Sequence, residues 1–202
     1  MTCELRTPAR TGNRYTPIGV LPDGTALRIR PLVAGDRAEL VRLFRAQSPA
    51  SRCARFLQPV DELSEHDLRL LVDDVDGERH VAVLLEAVRS VRDESGGTRV
   101  EVSSVGIGRY VRWAHRPSVA DVAFTIDDAW HGRGCGRRLA GALAEHARRA
   151  GVRTFHADVL DHNTASLCVL AGLGPLSRVG REDEILEVVV VLDDAEGGPL
   201  AA

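Results

Sequence analysis

The sequence predicts an α/β fold in which a mixed β-sheet carries helices on both faces. Short apolar runs of strand length recur along the chain and are separated by turn residues, a pattern typical of strands. From Gly136 to Ala150 the apolar residues recur at helical spacing instead, directly after the apolar run Val122 to Ile126 and a short glycine-rich bend. A strand followed closely by such an amphipathic helix favours a sheet on which helices pack.

The first third of the chain predicts one strand and two helices. Ala26 to Arg30 alternates apolar and basic residues, as a half-buried strand does. Asp36 is the predicted N-cap of a helix whose apolar residues recur at helical spacing. A second helix is predicted to begin at Ser64, because Ser64 and Asp67 have the spacing of a capping box.

The remainder of the chain predicts five further strands and two helices. A turn at 93–97 separates two of the strands and suggests an antiparallel hairpin. The long helix that follows the glycine-rich bend is predicted to stop at Gly151. In chain order these elements are strands at His80 to Val88, Val100 to Val111 and Val119 to Ile126, the helix at Gly136 to Ala150, a strand at Thr154 to Val159, a helix at about 163–171 and a strand at Ile185 to Leu192.

Length, charge and hydropathy narrow the class of protein. At 202 residues the chain fits one domain with a substantial core. We expect this domain at 22–193, between a flexible N-terminal arm at 1–21 and a C-terminal tail at 194–202. The net charge of −3 gives no electrostatic argument for nucleic acid binding. No apolar run approaches the ~20 residues that cross a bilayer and no apolar signal segment opens the chain, so we expect a cytoplasmic protein.

The cysteines and basic residues carry two further expectations. Cys3, Cys53, Cys135 and Cys168 lie far apart in the chain and form no C-x-x-C motif. We therefore expect reduced thiols, with neither disulfides nor a bound metal. All 26 basic residues are arginine, so the chain has no lysine to modify on itself.

A glycine-rich turn after the strand Val119 to Ile126 predicts an anion site. Gly132, Gly134 and Gly136 alternate with other residues, which lets successive backbone N–H groups point the same way. The helix that begins here adds unpaired amides and the positive end of its dipole. Arginines at positions 133, 137 and 138 add charge that pairs with phosphate oxygens. The spacing lacks the third glycine of the dinucleotide fingerprint, and no Walker lysine follows.

These motifs resemble those of a known superfamily. The segment His131-x-x-Gly134-x-Gly136 resembles the R/Q-x-x-G-x-G/A signature of the GNAT acyl-CoA N-acyltransferases. T-A-L-R-I-R-P at Thr25 to Pro31, S-P-x-S-R-x-x-R-F at Ser48 to Phe56, and V-A-D-V-A before the turn resemble the bacterial protein-lysine acetyltransferases. The resemblance covers roughly residues 22–192. It implies a mostly antiparallel sheet of about six or seven strands, with 48–67 placed over the acceptor side of the cleft.

The resemblance also implies acetyl-CoA as the acyl donor. Backbone N–H groups at 124–126, where the strand is expected to splay, would meet the pantetheine arm and the thioester oxygen. Two interpretations of His131 remain open: its ring donates a hydrogen bond to phosphate, or the residue only belongs to a surface loop. Cys135 is expected to be a small apolar side chain that fills space inside the turn. The predicted cofactor-binding residues are Phe124, Thr125, Ile126, His131, Gly132, Arg133, Gly134, Cys135, Gly136, Arg137 and Asn163.

Asp121 stands where the resembled acetyltransferases have a catalytic glutamate. A lysine amine with a pKa near 10.4 must lose a proton before it attacks the thioester, so a base is useful. We expect Asp121 to be buried among apolar neighbours, with a raised pKa, and to act directly or through water. Its alternative interpretation is a solvated residue beside Arg116. Other candidate bases are His115, His131 and Glu101. The family's tyrosine acid is replaced by Leu170, so solvent is expected to protonate the thiolate.

Three functions remain open at this point. The expected one is an acetyl-CoA-dependent N-acetyltransferase that acts on a protein lysine; a second has a small amine, such as an antibiotic, polyamine or amino acid, as acceptor. The third is a CoA-binding module with weak or no catalysis. We expect a monomer or homodimer without nucleic acid or membrane partners. Acidic residues that would suit a cationic acceptor of either kind are Asp61, Glu62, Glu65 and Asp67.

Overall fold

The computed structural model describes residues 15–92 and 97–192, which form a single mixed sheet with helices on both faces. The strands are β1 (Thr16–Val20), β2 (Ala26–Pro31), β3 (His80–Arg92), β4 (Thr98–Trp113), β5 (Arg116–Ile126), β6 (Thr154–Leu160), β7 (Leu176–Glu182) and β8 (Ile185–Val191). The helices are α1 (Arg37–Ala46), α2 (Pro49–Phe56), α3 (Glu65–Leu68), α4 (Cys135–Arg149) and α5 (Thr164–Ala171). Short 3₁₀ turns at Ala34–Asp36 and Asp128–Trp130 precede α1 and the glycine turn, and a π-helical turn at Arg69–Asp73 extends α3.

The strand order within these residues is β1-β2-β3-β4-β5-β6-β8-β7. Every neighbouring pair is antiparallel except β5 and β6, which run parallel and are connected through α4. The predicted mostly antiparallel mixed sheet is confirmed, with eight strands in place of six or seven.

The two faces of the sheet have separate cores. We call the face that carries α4 the α4 face; there Leu139 and Leu143 of α4 pack against Tyr110 and Val122 of the sheet. We call the opposite face, covered by α1, α2 and α3, the α1 face. Its smaller core comprises Leu32, Leu40, Leu43, Leu68, Val72, Ala82, Leu84 and Ile107. Side chains alternate between these faces along each strand, so the parity of a residue decides which core or site it joins.

Most predicted boundaries agree with the structure to within a few residues. The capping box at Ser64 is present, with the backbone N–H of Asp67 donating to Ser64 Oγ at 3.1 Å and that of Ser64 donating to Asp67 Oδ2 at 2.8 Å. Gly151, at φ +85°, follows the end of α4 as predicted. The predicted turn at 93–97 falls largely outside the described residues, as do 1–14 and the predicted tail. None of the helices that the structure describes is long and apolar enough to cross a membrane.

Three expectations about local structure were wrong or incomplete. Residues 16–20 were assigned to a flexible arm, yet they form the edge strand β1, where Ile18 packs against the core. The sequence predicts neither α2 nor β7, because neither element buries enough of its residues to show a regular apolar period. Asp36 stands at the N-terminus of α1, but its side chain makes no capping hydrogen bond to the helix.

The carboxylate of Asp36 instead joins a buried ion network. Arg30, which is 5% exposed, donates to Asp36 at 2.6 and 2.9 Å and to Glu86 Oε1 at 2.6 Å. Arg28 donates to the second oxygen of Glu86 at 2.8 Å. Hydrogen bonds to both carboxylates raise the pKa of Arg30 despite its burial. The network ties β2 to β3 and to the start of α1.

Replacing Arg30 should therefore destabilise the fold. In Arg30→Met, Asp36 and Glu86 remain buried without a shared cation, and we expect the free energy of unfolding to fall by about 3–5 kcal/mol. Urea unfolding followed by circular dichroism measures this loss. The control is Arg37→Met, which removes an exposed arginine paired with Asp73 and Glu65. Equal losses in the two variants would contradict the assigned role of the network.

Candidate active site

The parallel strands β5 and β6 separate after a short ladder. Their paired residues are Val119 with Thr154, Ala120 with Phe155, and Asp121 with His156. Beyond this point β5 continues to pair with β4 as far as Ile126, while β6 pairs with β8. A V-shaped gap therefore opens between the two strands on the carboxyl side of Asp121.

Backbone amides of β5 face this gap. The N–H of Asp127 donates to the carbonyl of Val105 on β4 at 2.8 Å, which fixes the alternation of the antiparallel ladder. By that alternation Phe124 and Ile126 turn their N–H groups toward the gap, as the sequence predicts. The backbone of Thr125 turns toward β4 instead, and its hydroxyl accepts from Gln47 Nε2 at 2.8 Å. Thr125 is thus placed to shape the α1 face and does not offer an amide to the gap.

The glycine turn at the end of β5 presents a group of unpaired amides. Gly132 and Gly134 have φ values of +70° and +76°, which side-chain-bearing residues rarely adopt. Among the described residues, no protein acceptor receives the N–H groups of residues 132–137. Gly134 precedes the first turn of α4, so these amides combine with the positive end of a 15-residue helix. The arrangement fits a pyrophosphate.

The arginines of the turn differ in what they contact. Arg133 forms an ion pair with Asp23, and its guanidinium lies 4.5 Å from the centroid of the Trp130 ring. Hydrogen bonds from Thr25, together with the charge of Arg133, hold the pKa of Asp23 below its usual value. Arg137 is exposed and has no partner in the described part of the chain. Arg137 is therefore available to phosphate oxygens, whereas Arg133 is anchored beside the turn.

Three further predicted residues surround the turn. His131 Nε2 donates to the carbonyl of Ile126 at 3.0 Å, so the ring braces the bend between β5 and α4. Cys135 is 1% exposed, and burial raises the pKa of its thiol, which agrees with a small filler. Gly136 lies in the first turn of α4. Asn163 caps α5, accepting from Ser166 N at 3.1 Å.

Asp121 lies at the apex of the gap, on the α1 face. It is exposed, and its Oδ1 accepts from Trp113 Nε1 at 2.9 Å. The expected burial among apolar neighbours is therefore wrong. Alternation predicted the correct face, but Asp121 is exposed there. It lies between its ladder partners Val111 of β4 and His156 of β6, and His156 packs on Trp113 with ring centroids 4.7 Å apart.

Two more carboxylates share this face, and sequence reasoning missed both. Asp158 lies two residues beyond His156 on β6, so it points to the same face at the open side of the gap. Partial burial, with the charges of Glu187 and Asp121, raises the pKa of Asp158. Glu187 Oε1 lies 3.5 Å from His156 Nδ1. The signal for Asp158 was the parallel pairing of β5 and β6, which only the structure reveals.

The other candidate bases lie away from the gap. Glu101 lies on β4 and pairs with Arg99. It is ten residues from Val111, the β4 residue that pairs with Asp121, which corresponds to about 30 Å along the strand. His115 is exposed in the turn between β4 and β5. Leu170, at the position of the family's tyrosine, is 1% exposed. Of the two tyrosines in the chain, Tyr110 bonds His146 Nδ1 at 2.9 Å and Tyr15 lies against Arg28, so neither reaches α5.

Comparison with known protein sequences agrees with this geometry. A family profile described as an acetyltransferase (GNAT) domain matches residues 26–175. Acetyltransferase PA5475 of Pseudomonas aeruginosa is 31% identical over 163 residues, covering 81% of this chain and 80% of that protein. Acetyltransferase Pat of Mycolicibacterium smegmatis is 44% identical over 66 residues, covering 33% of this chain and 20% of Pat. The match to Pat thus spans a fifth of that longer protein.

Solved structures share the fold. The GNAT domain of S. lividans PAT superposes with a TM-score of 0.72 at 27% identity, covering 88% of this chain and 97% of that domain. The acetyltransferase yncA of Salmonella typhimurium, solved with acetyl-CoA, superposes with a TM-score of 0.58 at 18% identity, covering 87% and 99% of the two chains. Because the family profile spans most of the chain and a relative above 30% identity aligns along four-fifths of its length, this chain belongs to the GNAT family of acetyltransferases.

Proposed function

We propose that this chain transfers the acetyl group of acetyl-CoA to a primary amine, with a protein lysine as the acceptor. The observation that carries the proposal is the position of Asp121. A carboxylate stands where β5 and β6 part, between the amides of the gap and the open α1 face. The resemblance of the sequence motifs to the bacterial protein-lysine acetyltransferases supports a protein acceptor, and the matches to Pat and to the S. lividans PAT domain agree with that resemblance.

Acetyl-CoA fits the gap and the turn. The pyrophosphate would bind the free amides of residues 132–137 and the side chain of Arg137. The pantetheine arm would lie between β5 and β6, where Phe124 offers its amide and Asn163 lies at the start of α5. The bound molecule supplies an acetyl thioester and a thiolate leaving group. The Phe124 amide, directed at the thioester oxygen, would stabilise the charge that develops there.

Asp121 would accept the proton of the attacking amine. Trp113 holds one carboxylate oxygen, so the other remains free to accept a proton directly or through a bridging water. Because aspartate is one methylene shorter than the glutamate of the resembled proteins, a water between base and amine suits its reach. With Leu170 on α5 and no tyrosine there, solvent would protonate the departing thiolate.

The charge of the α1 face favours a cationic acceptor. Asp121, Asp158 and Glu187 attract an ammonium group to the open side of the gap. Two of the four acidic residues expected from the sequence have local roles in the structure, since Glu65 pairs with Arg37 and Asp67 belongs to the capping box of α3. The open face leaves room for a protein surface that presents a lysine. A small amine that also bears a carboxylate, such as an amino acid, is the second candidate acceptor, because a cavity lined by Arg55 and Arg109 adjoins the site.

Changing the base should lower turnover. We expect Asp121→Asn to reduce kcat by about 100-fold or more, because loss of a general base removes proton transfer from the attack step. Asp121→Glu should retain activity. The measurement is CoASH release with a lysine-bearing protein; the enzyme contains no lysine and so adds no background of its own. Glu101→Gln is the control carboxylate, remote from the gap. Undiminished turnover in Asp121→Asn would remove Asp121 from the mechanism.

A side chain added at Gly134, beside the unpaired backbone amides of the turn, should weaken CoA binding. In Gly134→Ala the φ of +76° becomes strained and the new methyl lies 2.8 Å from Arg138. We expect the Kd for CoA to rise roughly tenfold, as a strain of about 1–2 kcal/mol implies. The matched control is Gly141→Ala in the middle of α4, where the added methyl meets nothing within 4 Å. Calorimetric titration with CoA should leave that control unchanged; a similar rise in both variants would refute the site.

Neutralising Asp158 should change the KM for the acceptor more than it changes kcat. We expect Asp158→Asn to raise the KM for a lysine acceptor several-fold with kcat little changed, since it removes attraction for the ammonium. The effect should shrink at high ionic strength, where charges are screened. Glu145→Gln on α4, an exposed carboxylate paired with Arg149, is the control. A fall in kcat at constant KM would instead make Asp158 part of the proton transfer.

A further inference from the structure

A narrow cavity lies between α1, α2, the π-helical turn and the α1 face of the sheet. It opens toward solvent, and the space between its walls is about 340 Å³ when the open solvent at its mouth is included. Its walls are mostly apolar, and four of the side chains that line it are polar. The lining includes Phe44, Phe56 and Ile107 together with Gln47, Thr125, Arg55 and Arg109.

Two guanidinium groups share this cavity without a carboxylate. Arg109 is 6% exposed; it donates to the carbonyl of Leu71 at 3.0 Å and lies 3.2 Å from His80 Nε2. Arg55 is half-buried and forms no hydrogen bond or ion pair with any described residue, and its guanidinium lies 5.2 Å from the centroid of the Phe56 ring. Burial lowers the pKa of Arg55 to about 10, and burial with the charge of Arg55 lowers that of Arg109 to about 9.

His80 cannot supply the missing negative charge, because an imidazole ring is either neutral or cationic. Burial and the charge of Arg109 lower the pKa of His80, which favours the neutral ring that accepts a hydrogen bond from the arginine. The contrast with Arg30 is direct, since that buried guanidinium has two carboxylate partners. Holding two cations close together, one of them buried, without an anion is unfavourable. An anion from outside the chain would offset that cost.

The cavity adjoins the reaction site. Arg109 on β4 is the ladder partner of Ala123 on β5, two residues beyond Asp121 and on the same face. The Cα atoms of Arg109 and Asp121 are thus diagonal neighbours, roughly 7–8 Å apart. Gln47 and Thr125 connect the cavity to the end of β5. An anion bound between the arginines would therefore lie close to an amine held at Asp121.

We propose that Arg55 and Arg109 bind a carboxylate group carried by the acceptor. The inference rests on the proposed acetyl transfer and names the acceptor class: an amine that also bears a carboxylate. The carboxylate has two possible sources, the carboxyl group of a free amino acid or an acidic side chain next to the target lysine of a protein. Planar guanidinium groups suit this ligand, because they pair with carboxylate oxygens through two parallel hydrogen bonds.

The test compares acceptors that differ only in the carboxylate. One arm uses free L-amino acids against their amides; the other uses lysine peptides with a neighbouring glutamate against the same peptides with glutamine. In the arm that contains the true source, we expect the carboxylate form to have a KM at least tenfold lower, the size of a charge-assisted hydrogen bond. A preference in the first arm assigns a free amino acid, and one in the second assigns a protein acceptor.

Variants of the two arginines complete the test. Arg55→Met and Arg109→Met should abolish the preference, and Arg55→Lys should retain part of it. Arg45→Met, which removes an exposed arginine of α1, is the control for net charge. Because either methionine removes the repulsion between two neighbouring cations that have no acidic partner, both cavity variants should keep or raise the Tm. The proposal is overturned if neither arm shows a preference, or if the preference survives in Arg55→Met and Arg109→Met.

A binding measurement separates this inference from the proposed function. Thermal shift of the wild-type protein with CoA is recorded with each amino acid or peptide and its neutral counterpart. A rise in Tm that requires the carboxylate and disappears in Arg55→Met supports carboxylate binding in the cavity. If no CoASH is released in the same experiment, only the proposed acetyl transfer is refuted. Acetyl transfer that is indifferent to the carboxylate leaves the enzyme assignment standing and refutes the cavity's role.

Discussion

The separation of β5 from β6 is the constraint on which the rest of the site depends. Backbone N–H groups are normally paired in a sheet, and leaving them without a partner is costly unless solvent or a ligand satisfies them. Here the ladder stops at Asp121 and His156, while both strands continue beside their other neighbours. Phe124 therefore keeps an amide for a ligand, and the same opening places Asp121 at the edge of the gap. One interruption of the sheet thus creates both the proposed donor site and the position of the proposed base.

Arginines serve three different purposes in this lysine-free chain. Arg30 is buried with both of its carboxylate partners and holds β2, β3 and α1 together. Arg133 is fixed by Asp23 and Trp130 beside the glycine turn. Arg109 is buried and Arg55 is half-buried, and neither pairs with an acid within the described residues. Because neighbouring cations that lack an acidic partner are unfavourable for folding, the proposed ligand accounts for the last pair better than stability does.

Local patterns allowed most of the fold to be predicted, and long-range contacts account for what was missed. Apolar periodicity and turn chemistry depend on neighbouring residues, so strands such as β3 and the start of α4 could be predicted from the sequence. The edge strands β1 and β7 expose much of their length and lack that signal. The burial of Asp121 was predicted from its own strand, whereas its exposure depends on which residues of β6 and which helices lie beside it. Arg55 and Arg109 come from separate segments, and only the packed chain brings them into one cavity.

The exposure of Asp121 bears on the size of the acceptor. Removing a proton from a lysine with a pKa near 10.4 costs about 4 kcal/mol at pH 7.4, so proton transfer gains from any change of surroundings that lowers this cost. A protein laid across the open α1 face would exclude water from the carboxylate and the lysine together. Burial raises the pKa of a carboxyl group and lowers that of an ammonium, so both changes favour proton transfer. A small amine covers less of this face, and the exposed base is therefore better matched to an acceptor large enough to close the site.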